Sequence, residues 1–68
     1  MRIRLREIRE KRGMTQEKLA NLVNVTRQTI INIEKGKYKP TVLLALKMAK
    51  VLNCKVEDLF ILEEEDTE

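Results

Sequence analysis

Apolar residues recur along this chain at helical spacing, in short runs broken by polar corners. Met1 to Arg4 alternates instead, with Met1 and Ile3 on one side and Arg2 and Arg4 on the other, as a short edge strand does. From Leu5 to Arg12 the spacing predicts a helix that buries Leu5 and Ile8, with Gly13 as its terminating residue. Met14 then precedes Thr15 as a hydrophobic residue precedes a helix cap. A second helix follows over residues 16–23, with Leu19 and Val23 one turn apart and Ala20 small enough for another helix to cross closely. Asn24 marks the corner, because Asn is the non-glycine residue that best tolerates a left-handed backbone. Beyond Val25, Thr26 offers a hydroxyl to cap a third helix over residues 27–35, anchored by Ile30 and Ile33.

Gly36 and Pro40 interrupt the pattern, and Thr41 caps a fourth helix over residues 42–52. Its inward stripe reads as Val42, Ala45, Met48, Ala49 and Leu52. Leu43, Leu44, Leu46 and Val51 are surplus, and a chain this small cannot bury them all. Asn53 ends that helix, Cys54 falls at a buried position, and a short last helix spans residues 56–59. Phe60 to Leu62 can pair as a strand with Met1 to Arg4. The expected fold is all-α, five helices with a short two-stranded pairing of the two ends.

Composition narrows the chemistry. Sixty-eight residues make one domain, near the lower limit for a core without staples, and 43% hydrophobic content suffices for a helical bundle. The chain has no His and one Cys, which excludes histidine catalysis, histidine metal sites and an internal disulfide. With no nucleophile–base pair and no phosphate-cradling glycine loop, the enzyme reading is rejected, and no cofactor or small-molecule ligand is expected. No apolar run approaches the ~18 residues of a membrane span, and the basic N-terminus lacks a signal-peptide core, so a soluble cytoplasmic protein is expected. The net charge of +3 hides an asymmetry: residues 1–62 carry fourteen basic and six acidic side chains, while an acidic tail, 63–68, holds the other five acids. A basic body with a segregated acidic end fits a polyanion-binding face.

The twenty residues QEKLANLVNVTRQTIINIEK, 16–35, resemble the helix-turn-helix of the Cro/CI-type (XRE) DNA-binding regulators in their hydrophobic, small-residue and turn positions. Asn24 departs from the family's usual Gly at a small expected cost in stability, and Lys55 replaces a usual Ser-type cap, so the last helix is expected to fray. The resemblance covers about residues 5–60 and implies the lambda-repressor-like fold. It also implies a sequence-specific transcriptional regulator, a repressor in the simplest reading. The third helix is then the reader. With its isoleucines inward, Arg27, Gln28 and Asn32 present the paired donors and acceptors that base edges require, joined by Thr29 and by Ile31 for a thymine methyl.

Phosphate contacts are expected from Thr15 and Gln16 at a helix start, and from Lys35, Lys37 and Lys39. Tyr38 either joins them or covers the core. By the same resemblance, Arg9 pairs with Glu34 and orients the first helix on the third. A two-fold homodimer on palindromic double-stranded DNA is expected, through Leu46, Leu59, Phe60, Ile61 and Leu62. The competing reading is an antitoxin-like or coactivator-like module that uses the same fold to bind protein.

Overall fold

In a computed structural model that describes residues 1–66, four of the five helices end in the same way, and those ends fix the path of the chain. Strand β1 (Arg2–Ile3) leads into α1 (Leu5–Lys11), α2 (Gln16–Leu22), α3 (Arg27–Glu34), α4 (Val42–Val51), α5 (Val56–Leu59) and β2 (Phe60–Ile61). Each of α1 to α4 stops one residue before its expected end, because Arg12, Val23, Lys35 and Leu52 act as C-caps. The residue after each cap, Gly13, Asn24, Gly36 or Asn53, has a left-handed backbone with φ between 55 and 75°. The following amide reaches back five residues: Met14 N to Arg9 O, Val25 N to Ala20 O, Lys37 N to Asn32 O and Cys54 N to Ala49 O, at 2.9–3.1 Å. This pairing satisfies carbonyls that a helix end leaves orphaned and turns the chain sharply. Asn24 stands at φ 60° in the corner between α2 and α3, as its residue type predicts.

Threonine does the matching work at the N-termini. Thr15, Thr26 and Thr41 each accept a hydrogen bond on the side-chain hydroxyl, from the backbone amides of Lys18, Thr29 and Leu44 at 3.0–3.2 Å. Lys55 has no oxygen to offer, yet α5 is formed rather than frayed. The Asp58 carboxylate reaches back to accept from the Lys55 amide at 2.9 Å, and the two acids of its first turn suit the helix dipole.

The core lies where the helices converge, around Leu5, Leu19, Ile30, Ile33, Met48, Leu52 and Leu59, all fully buried. Two sequence expectations change here. Val42 is 77% exposed, and Leu44 takes its place inside at 8%. Leu44, Met48 and Leu52 repeat every fourth residue and flank Ala45 and Ala49, whereas Val42 sits in the first turn, beyond the edge of the core. Leu59 is sealed within the protomer and offers no surface to a partner. Its own carbonyl accepts from Arg4 N at 2.8 Å, which draws it beneath the strand pair.

Antiparallel pairing of Arg2 with Ile61 and Ile3 with Phe60 closes the two ends, as the alternation of Met1 to Arg4 suggested. Arg12 Nε donates to the Leu52 carbonyl at 2.8 Å and so ties the end of α1 to the end of α4. The acidic tail does not simply trail into solvent: Glu64–Asp66 forms a 3-10 turn, and Glu63 and Asp66 pair with the α-amino group of Met1. Those hydrogen bonds raise the α-amino pKa and lower that of Asp66. Residues 67 and 68 of the expected tail lie outside the described residues.

Candidate nucleic-acid interface

The turn at Asn24 sets α3 across α2, and burial of Ile30 and Ile33 leaves one edge of α3 facing outward. Arg27 and Gln28 are exposed at its start, and Ile31 and Asn32 lie half-buried one turn on. Gln28 Nε2 donates to Asn32 Oδ1 at 3.1 Å, so the two amides are aligned side by side. Thr29 is half-buried, and its hydroxyl lies 3.0 Å from that of the cap Thr26. That contact gives Thr29 a structural task before any base is met.

Beyond α3 the chain is folded back on the helix end. The Asn32 carbonyl accepts from Lys37 N at 2.9 Å and from Tyr38 N at 3.3 Å. Lys35, Lys37, Tyr38 and Lys39 are all exposed along this exit, and Tyr38 is not a core cover. At the other flank, Thr15 is exposed and Gln16 half-buried at the start of α2. Thr15 accepts from Lys18 N, which leaves its hydroxyl proton to donate outward.

The one acid of α3 is turned away from this edge. The acid of α3, Glu34, has a side chain only 5% exposed and is held by Arg9, with Nε to Oε2 at 2.8 Å and Nη2 to Oε1 at 3.4 Å. Arg9 Nη1 also donates to the Met14 carbonyl at 2.7 Å. The expected pair is therefore present, and its burial removes the negative charge from the surface that carries Arg27, Lys35, Lys37 and Lys39. A buried ion pair is weak evidence of net stability. Its effect here is to orient α1, α3 and the loop after α1.

Two features escaped sequence reading. Glu34 Oε1 also accepts from Gln16 Nε2 at 3.0 Å, and Gln16 Oε1 accepts from Arg27 Nε at 3.4 Å. No spacing rule links residues 16, 27 and 34. Beyond the loop that follows α3, Met1, Pro40, Val42, Ala45, Leu46 and Phe60 line an apolar groove of about 410 Å³, with Lys39 and Glu57 at its rim. Among the residues expected at a dimer contact, Leu46 (54%) and Leu62 (67%) are exposed, and Phe60 and Ile61 are half-buried. Surplus leucines on α4 were the sequence signal for this surface; Val42 and Pro40 were not suspected.

An α-helix capped and crossed in this way over a tight left-handed corner, with a polar basic edge outward, defines a helix-turn-helix. Comparison with known proteins agrees. A family model described as helix-turn-helix matches residues 5–59. An uncharacterized HTH-type transcriptional regulator of Archaeoglobus fulgidus is 56% identical over 66 residues, covering 97% of this chain and 94% of that protein. YgzD of Bacillus subtilis, also named as an uncharacterized HTH-type transcriptional regulator, is 52% identical over 97% of this chain and its own full length. The crystal structure of the restriction-modification controller protein C.AhdI from Aeromonas hydrophila superposes with a TM-score of 0.78 at 35% identity, over 84% of this chain and 86% of that one. The chain belongs to the helix-turn-helix family of DNA-binding transcriptional regulators, in its XRE, Cro/CI-like branch.

Proposed function

We propose that the chain binds double-stranded DNA sequence-specifically, as a homodimer on a palindromic operator, and represses by occluding a promoter. The observation that carries this reading is the outward edge of α3, where Arg27, Gln28 and Asn32 stand beside exposed lysines and the acid of the helix, Glu34, is buried against Arg9. Arg27 suits guanine and the Gln28–Asn32 pair suits adenine, with Ile31 placed for a thymine methyl and Thr29 for a secondary contact. Thr15, Gln16, Lys35, Lys37, Tyr38 and Lys39 hold phosphates, which sets register and gives the salt-dependent part of the affinity.

Dimerisation supplies length of site. One reading helix covers a few base pairs, whereas two held ~34 Å apart read a palindrome over one DNA turn. Exposed Leu46 and Leu62, with the flank of Phe60 and Ile61, support a two-fold contact over the apolar groove. In this reading residues 1–62 are the DNA-binding domain, 63–68 its acidic end, and the cytoplasm its compartment. Selection of bound duplex from a random pool, followed by titration at several salt concentrations, tests it. The expected result is a palindrome bound at least ~10³-fold more tightly than random duplex, with affinity falling as salt rises. Selection that recovers no common sequence contradicts it.

A further inference from the structure

We infer that Glu34 is a specificity-determining positioning residue that acts through Gln16 on the guanidinium of Arg27. The inference rests on Arg27 reading a base, as proposed above. Its basis is a row of side chains in which every polarity is forced. Glu34 as a carboxylate only accepts hydrogen bonds, and Arg27 only donates them. Gln16 lies between them and can do either, according to which way its amide is turned. With Glu34 Oε1 at 3.0 Å, Gln16 must present its NH₂; its carbonyl oxygen therefore faces Arg27 Nε at 3.4 Å. Arg9 pairs with the same carboxylate from the other side, and Gln16 reaches Oε1 by its own bond.

The consequence falls on Arg27, which is exposed and would otherwise sample many rotamers. A donation from Nε steers the side chain and leaves the two terminal nitrogens free to meet a guanine edge. The last link is the longest, so Arg27 is steered rather than clamped. Gln16 keeps its second amide hydrogen for a phosphate, and one side chain then registers the backbone and aims the reader. Replacing Glu34 by the isosteric Gln removes the forced polarity. The amide of Gln16 can then turn its NH₂ toward a guanidinium, which accepts nothing, and Arg27 is released.

The test measures base discrimination at each position of the selected half-site by competition binding. Arg27→Ala identifies the base pair that Arg27 reads, as the one where preference is levelled. Glu34→Gln is expected to cut discrimination at that pair roughly tenfold and leave the other positions unchanged. Gln16→Leu should do the same at that pair while weakening all sites together, and Glu34→Gln added to Gln16→Leu should cause no further loss of discrimination. Arg9→Gln breaks the ion pair but leaves the carboxylate facing Gln16. It should lower thermal stability and keep discrimination at that pair.

A Glu34→Gln effect spread evenly over all positions, matched by Arg9→Gln, would show a purely structural role and overturn the inference. So would full discrimination in Gln16→Leu, which decides the matter alone if Glu34→Gln does not fold. If Arg27→Ala levels no position, the base-reading role of Arg27 fails, and the inference falls with it.

Discussion

The hydroxyl of Thr26 carries a load that can be measured. It accepts from the Thr29 amide at 3.2 Å and lies 3.0 Å from the Thr29 hydroxyl, at the first turn of the eight-residue α3. Thr26→Ala removes that acceptor. Loss of a capping threonine costs about 0.5–2 kcal/mol. The Thr29 amide also reaches the Thr26 carbonyl at 3.1 Å, so it is not stranded when the hydroxyl goes. The half-buried Thr29 hydroxyl can turn to water. Both points place the expected loss near 1 kcal/mol, a fall in Tm of about 4–8 °C for a domain of this size. Urea titration followed by far-UV circular dichroism reads it, since the chain has no Trp to report by fluorescence. Variants must be compared at one protein concentration, because dimerisation would add to apparent stability. Thr26→Ser should recover most of the loss. An alanine variant within about 0.3 kcal/mol of the parent would refute the capping argument. The same fraying loosens Arg27 and Gln28, so the specific-to-random binding ratio should fall along with stability.

Other consequences are more local. Asn24→Ala places an unhelpful side chain at φ 60° and should cost about 1 kcal/mol in the same titration, with no change in the helical spectrum. Leu46→Glu puts a charge into the apolar groove beside Glu57; sedimentation should report a monomer for the variant and the proposed dimer for the parent, and equal masses would discard this surface as the interface. Burial raises the pKa of the Cys54 thiol above its ordinary value, so at pH 8 the folded protein should be alkylated more slowly than the same protein in denaturant, and equal rates would contradict the placement.

How much of this was legible in the sequence depends on how local the physics is. Helix starts and stops were, because Thr15, Thr26, Thr41, Gly13, Asn24, Gly36 and Asn53 act through bonds only three to five residues long. Burial on α4 was only half legible. Periodicity shows that an inward stripe exists, but which of Val42 and Leu44 belongs to it depends on where the neighbouring helices end. Leu59 was misassigned for a related reason: in a run of four apolar residues, spacing cannot tell the one drawn under the strand pair from those left outside. The outward set on α3 followed from Ile30 and Ile33 turning inward. The row from Glu34 through Gln16 to Arg27 joins three elements distant in sequence, so no local rule exposes it.

The central claim is that the edge of α3 reads bases while the loop after it holds the backbone. Gln28→Ala and Lys37→Ala, titrated against the selected palindrome and against random duplex over a salt series, separate the two tasks. The account predicts that Gln28→Ala lowers the specific-to-random ratio about tenfold or more with the salt slope unchanged. Lys37→Ala should weaken both duplexes alike and reduce the slope by about one. Identical behaviour of the two variants would contradict it.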